Sequence, residues 1–150
     1  MDLLDALLGE HGLFYAMFEH MEQERPSSLE TLKAHARILD AALLSHAHLE
    51  ESLLYPALEE LIGPMGPLTV MRHEHEAIES ELRRISSLGD ADQARAALIR
   101  LLSVTRDHFG KEEEILFPMA RQHVPQETLR QLGQQWSLRR QVGVSAASVG

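Results

Sequence analysis

The chain of 150 residues contains no cysteine. Disulfide frameworks, thiolate zinc sites, iron–sulfur ligation and thiol nucleophiles are therefore excluded together. Any metal would have to be held by nitrogen and oxygen. Basic residues are scarce as well: 14 Lys+Arg stand against 23 Asp+Glu, a formal charge of −9. That sign is wrong for a nucleic-acid or anionic-membrane surface, so neither partner is expected, and bound cations would neutralise part of it. No apolar run approaches the roughly 18 residues of a membrane span. The N-terminal "MDLLDALLGEHG" lacks the basic start of a signal peptide, and a cytoplasmic location is expected. No nucleophile motif or Gly-rich phosphate loop is present. "HEHEA" fails the HExxH zinc motif because its second histidine follows two residues on instead of four. What the chain has in quantity is histidine, with nine.

Four long stretches carry helical periodicity, and almost nothing reads as a strand. They are separated by the breakers "RPSS", "GPMGP" and "SSLGD". The first helix is expected from Asp2 to Glu24, with Leu4, Leu7, Leu8, His11, Phe14, Tyr15 and Phe18 in one stripe, stopping before Pro26. The second begins at "SSLE", with Ser27 as cap and Glu30 reaching back, and runs to Ile62 before Gly63. The third runs from Pro67 to Leu88, and the fourth from the Asp90 cap to His123. Short connections predict an all-α, up-down-up-down antiparallel four-helix bundle over residues 1–123. Residues 124–150 form a C-terminal extension: a short helix in "QETLRQLGQQWSLRR" that docks Trp136 on the bundle, then the flexible tail "VGVSAASVG".

The sequence also repeats itself. "EHGLF" around His11 is echoed by "EHEAI" around His75, and "HAHLEESLLYP" from His46 by "HFGKEEEILFP" from His108. At about 100° per residue, Leu39, Leu43, Glu50, Leu53 and Ala57 share a face with His46. Ala97, Leu101, Val104, Ile115 and Met119 flank His108 and Glu112 in the same way. Leu4, Leu7 and Phe18 flank His11, and Leu68, Met71 and Leu82 flank His75. Each helix thus delivers polar groups into its own apolar face. A lone core histidine is usually a hydrogen-bonded packing residue, and His-x-x-x-Glu is a common helix pair. The repetition of both on four helices is what points elsewhere. A buried carboxylate is paired, protonated or bound to metal. Arg72 lies at the stripe edge, while Lys111 and Arg106 point away from His108. Two metal ions held by four histidines and two bridging glutamates answer the pattern, and the donor set suits iron, with manganese or zinc as substitutes.

These four motifs together resemble the hemerythrin-like, or HHE cation-binding, domain family over nearly all of residues 1–123. The resemblance implies a non-haem di-iron centre with His11, His46, His75 and His108 as terminal ligands and Glu50 and Glu112 as bridges. It also implies a small diatomic ligand (dioxygen or nitric oxide) or peroxide, or a role in handling iron under stress. Oxygen carriers of the family place a further histidine where this chain has Met71, so four matched histidines favour reactive chemistry, sensing or iron binding over reversible carriage. Those carriers use an acid five residues after the last histidine, which selects Glu113; the internal repeat selects Glu112, and Glu113 rotates off the stripe. The alternative is a metal-dependent signalling or interaction module without catalysis and with a protein partner of unknown kind.

The remaining polar residues are assigned away from the site. His35 shares the face of His46 but lies about 16 Å along the helix, and His48 and His73 rotate to solvent. His20 and His123 sit near helix ends. Glu10 and Glu74 are expected to be solvated, and Tyr15 either packs or donates a hydrogen bond to a ligand's partner. Pro56 and Pro118 are expected to kink or loosen their helices just beyond the site.

Overall fold

The computed structural model describes residues 1–23, 28–64 and 66–143. Among them the chain is all helical, in five rods without a strand. The first, α1 (Leu3–Gln23), is entered through Asp2 and Asp5, each of which accepts the other's backbone N–H at 3.0 Å. The second rod consists of α2 (Leu29–Leu49), a wide π-turn, π1 (Glu50–Leu54), and α3 (Tyr55–Ile62). Its cap is Ser28, whose hydroxyl accepts from the Thr31 N–H at 3.2 Å; the expected Ser27 cap lies outside the described residues. Gly63 ends it at φ 83, a conformation that glycine alone adopts without strain. The third rod is α4 (Pro67–Ser86). The fourth joins α5 (Ala91–Lys111), π2 (Glu112–Leu116) and α6 (Phe117–His123), capped by Asp90 on the Gln93 N–H at 2.8 Å. The fifth is α7 (Gln126–Arg140). Of the expected tail, residues 144–150 lie outside the described residues.

The two prolines act through the π-turns. Tyr55 N–H reaches Glu50 O and Phe117 N–H reaches Glu112 O, five residues back instead of four. Each widened turn directly precedes a rod position where Pro56 or Pro118 has no N–H to donate. The extra residue rotates everything beyond it by one position. The sequence stripe placed Ala57, Ile115 and Met119 at the core; instead Leu58, Leu116 and Ala120 are buried, and Ile115 is 54% exposed. Val104 and Leu8 also face solvent, with Thr105 buried in place of the former.

Helix α2 packs on α4 and α5, α4 on α5, and α1 on α5 and α2. Two apolar clusters result. One contains Phe14, Phe18, Leu39, Leu43, Leu82, Leu101 and Phe109; the other contains Leu4, Leu7, Leu53, Leu54, Leu58, Leu68, Met71, Leu116 and Phe117. Each fully buried leucine contributes about 1.5–3 kcal/mol. Helix α7 lies on α1 and π1, with Trp136 against the second cluster. Contact with α1 is close enough that a Cβ on Gly133 would come within 2.9 Å of the Met1 and Asp2 backbone. Arg121 and Gln126 fasten the start of α1 through Asp2 at 2.8 and 2.9 Å.

Candidate metal centre

His11, His46, Glu50, His108 and Glu112 are buried, and the side chain of His75 is only 9% exposed. The rods bring all six together between the two apolar clusters. The His11 ring stacks at 3.9 Å on Phe109 of one cluster and at 5.5 Å on Phe117 of the other. On the far side Tyr55 stacks on His75 at 6.0 Å.

The two glutamates divide their oxygens. Glu50 Oε1 faces His46 Nε2 at 2.9 Å and His11 Nε2 at 3.8 Å, while its Oε2 faces His75 Nε2 at 3.2 Å. Glu112 Oε2 faces His11 Nε2 at 3.1 Å, and its Oε1 faces His108 Nε2 at 3.0 Å and His75 Nε2 at 3.7 Å. Two overlapping donor groups result, His11–His46–Glu50–Glu112 and Glu50–His75–His108–Glu112, each with its ligand atoms within 4.8 Å of one another. Both π-turns begin at these glutamates.

On the outer faces of the imidazoles stand carboxylates that the sequence did not assign there, although the Tyr15 hydroxyl takes the expected role of donor to a histidine's partner. His11 Nδ1 contacts Glu113 Oε1 at 2.8 Å, and that oxygen also accepts from the Tyr15 hydroxyl at 3.0 Å. His46 Nδ1 contacts Glu10 Oε2 at 2.7 Å, and His75 Nδ1 contacts Glu51 Oε1 at 2.8 Å. Glu10 is therefore not solvated: its side chain is 13% exposed, and it grips a histidine of another rod. Glu74 is engaged by Lys111 and stands 3.7 Å from His108 Nδ1, beyond hydrogen-bond reach. A carboxylate on Nδ1 fixes ring and tautomer and turns Nε2 inward, as second partners of metal-binding histidines do. The sequence signal was present in the acids directly before His11 and directly after Glu50 and Glu112. His48 is exposed and His73 is 75% exposed, whereas His35 is half-buried with an enclosed, unbonded Nδ1.

Burial and the facing carboxylates pull the imidazoles of the cluster in opposite directions. Burial works against the charged forms of His11 and His75, but contact with Glu112 and Glu50 outweighs it and holds them up at about 9 and about 11. Burial likewise opposes charge on His46, and Glu50 and Glu10 hold it at about 10. Burial also opposes charge on Glu50, but the His46 charge and the facing imidazoles of His11 and His75 keep it well below the usual carboxylate range. Glu112, pushed up by burial and by Glu50, is still held low by the facing imidazoles of His108, His11 and His75.

The donor set fits a metal. Both oxygens of Glu50 and Glu112 and the Nε2 atoms of His75 and His108 are enclosed without a regular hydrogen-bond partner. A cation held between them would satisfy these atoms. A cavity of about 180 Å³, lined by Leu43, Ile78, Leu82, Thr105 and Phe109, reaches His46, His75 and His108. Its size suits a small molecule.

Comparison with known proteins agrees with this chemistry. The family described as the hemerythrin HHE cation binding domain matches residues 2–120, and again 67–135. The chain is 28% identical over 115 residues to the iron-sulfur cluster repair protein YtfE of Escherichia coli O157:H7, covering 68% of this chain and 52% of that protein. The corresponding proteins of Escherichia coli strain K12 / DH10B and Shigella boydii serotype 18 match to the same extent. The chain thus spans about half the length of these curated relatives. No solved structure matches it.

Proposed function

The chain belongs to the hemerythrin HHE cation-binding domain family, and from that premise we propose that it is a non-haem di-iron protein of the stress response. In this reading His11, His46, His75, His108, Glu50 and Glu112 would hold the iron, the two glutamates being shared between the two histidine pairs. The observation that carries it is the division of each buried glutamate's two oxygens between the two histidine pairs. Manganese or zinc could occupy the same nitrogen and oxygen donors. Residues 1–123 would be the up-down-up-down antiparallel bundle and 124–150 its extension. The relatives are named for iron–sulfur cluster repair, which favours iron handling or small-oxidant chemistry over carriage of oxygen. We take the protein to be cytoplasmic; no helix among the described residues is long and apolar enough to cross a membrane.

Bound iron would supply Lewis acidity and electrons toward dioxygen, nitric oxide or peroxide. The chain's own residues do the rest. Glu10, Glu51 and Glu113 orient three imidazoles. Phe109 and Phe117 cover His11 and keep water from it. The cavity lined by Leu43, Thr105 and Phe109, and by the charged Asp40, Arg72 and Glu79, leads to His46, His75 and His108. Replacing both Glu50 and Glu112 by alanine should abolish tight binding of two ferrous ions in an anaerobic titration. Retention of both ions by the folded double variant would refute the bridging assignment.

A second reading, a metal-dependent interaction module without catalysis, is favoured by one observation. Helix α7 touches the site's surroundings directly, through Arg139 on Ser52 at 2.5 Å and Arg140 on Glu10 at 2.6 Å.

A further inference from the structure

Glu10 precedes His11 in the chain, yet its carboxylate serves two other rods. Oε2 contacts His46 Nδ1 at 2.7 Å, and Oε1 accepts from Arg140 Nε at 2.6 Å and lies 2.5 Å from its Nη2. The same guanidinium donates through Nη1 to Ser45 Oγ, next to His46. With Glu10 only 13% and Arg140 25% exposed, this charged fork is largely withdrawn from water, where such contacts are strong and geometrically demanding. The repeat has no such device in its other half. There Glu74, the counterpart of Glu10, has both oxygens on Lys111 at 2.7 and 2.9 Å, and His108 Nδ1 is enclosed without a hydrogen-bond partner.

Resting on the two-ion reading above, we propose that Arg140 is a positioning residue that couples the docking of α7 to cation binding at the His11/His46 half of the cluster. The guanidinium fixes Glu10, Glu10 fixes the His46 ring, and the ring presents Nε2 to the cation. Any affinity that docked α7 adds to that half is matched, by linkage, by what the cation adds to the docking of α7. The arginine lies in the last turn of α7, so a partner that peels this helix away would loosen one metal position and leave the other.

The experiment uses the full chain in an anaerobic ferrous titration against a competing chelator, for the parent, Arg140→Ala, Arg140→Lys and the control Arg130→Ala. Arg130 is 62% exposed and pairs only loosely with Glu127 of its own helix. In Arg140→Ala one of the two equivalents should weaken about 10–100-fold, as loss of an outer partner does, with the other unchanged within about threefold. Arg140→Lys should fall between, and Arg130→Ala should match the parent. Hydrogen exchange over residues 126–140 supplies the second readout. In the parent, protection of α7 should rise on iron addition; in Arg140→Ala it should not respond. If Arg140→Ala binds both ions as tightly as the parent, or lowers α7 protection equally with and without iron, the coupling is refuted while the two-ion reading stands. A parent that binds no iron overturns that reading and the coupling with it.

Discussion

In the half of the cluster built on His11 and His46, both imidazoles lean on carboxylates at 2.8 and 2.7 Å; in the half built on His75 and His108, one does at 2.8 Å and the other stands off at 3.7 Å. The repeat is a weak one, and the difference comes from one residue outside it, Arg140, and from Lys111, which stands within it where the other half has Leu49. Arg140 arrives from α7 and steers Glu10 toward His46, whereas Lys111, from the rod that carries His108, draws Glu74 aside. The rings that cover the halves differ too. Phe117 lies over His11, while Tyr55 lies over His75 with its hydroxyl buried and without a hydrogen-bond partner. A pseudo-symmetric frame thus sets the six-residue cluster, and single contacts set the inequality of its two halves.

That comparison can be broken at its shared centre first. In metal-free protein, Glu50→Ala and Glu112→Ala should each lower unfolding free energy by about 2–5 kcal/mol, because each leaves a buried cavity and strips three imidazoles of the carboxylate they face. Urea titration should give similar losses for the two, and a loss confined to one would end the symmetry. Next comes the docking of α7. Gly133→Ala places a Cβ against the Met1 and Asp2 backbone at 2.9 Å, and should cost about 1–3 kcal/mol by thermal unfolding. Amide exchange should rise first in residues 126–140.

A pH experiment tests the same clasp. Burial works against charge on Asp2, but the Asp5 N–H, Gln126 and Arg121 outweigh it and lower the carboxyl to about 2 from an ordinary 3.8. A depressed carboxylate stabilises above its unfolded value and ceases to do so as pH falls through its folded value. Asp2→Asn should therefore lose about 2 kcal/mol relative to the parent at pH 5, and urea midpoints should converge as pH drops through about 2. The smallest effect belongs to the covering rings. Tyr55→Phe removes a buried hydroxyl without a partner and should be neutral or stabilising by up to about 1 kcal/mol, while Phe117→Tyr buries one and should cost about 1–3 kcal/mol. Equal and opposite results from the two would show that the hydroxyl alone distinguishes the coverings.

The helical class and the donors of the cluster could be read in the sequence because repetition marks them: His11 with His75, His46 with His108, Glu50 with Glu112. The one-residue slip at Ile115 and Met119 could not be read by counting 100° per residue, since a π-turn breaks that count. Pro56 and Pro118 were its visible cause, though a proline alone does not distinguish a kink from a widened turn. Glu10, Glu51 and Glu113 were missed for another reason. Each points off its own stripe and toward a neighbouring rod, and rotation within one helix says nothing of what stands opposite. Arg140 is further removed still, because its partner Glu10 lies 130 residues away.

The most direct test of the central claim is iron content together with electron paramagnetic resonance of the iron-loaded, air-oxidised chain. The account predicts two irons per chain that are magnetically coupled through the bridging carboxylates of Glu50 and Glu112, with the coupling lost in the double alanine variant. One iron per chain, or two that give the signal of isolated high-spin ferric ions, would contradict it.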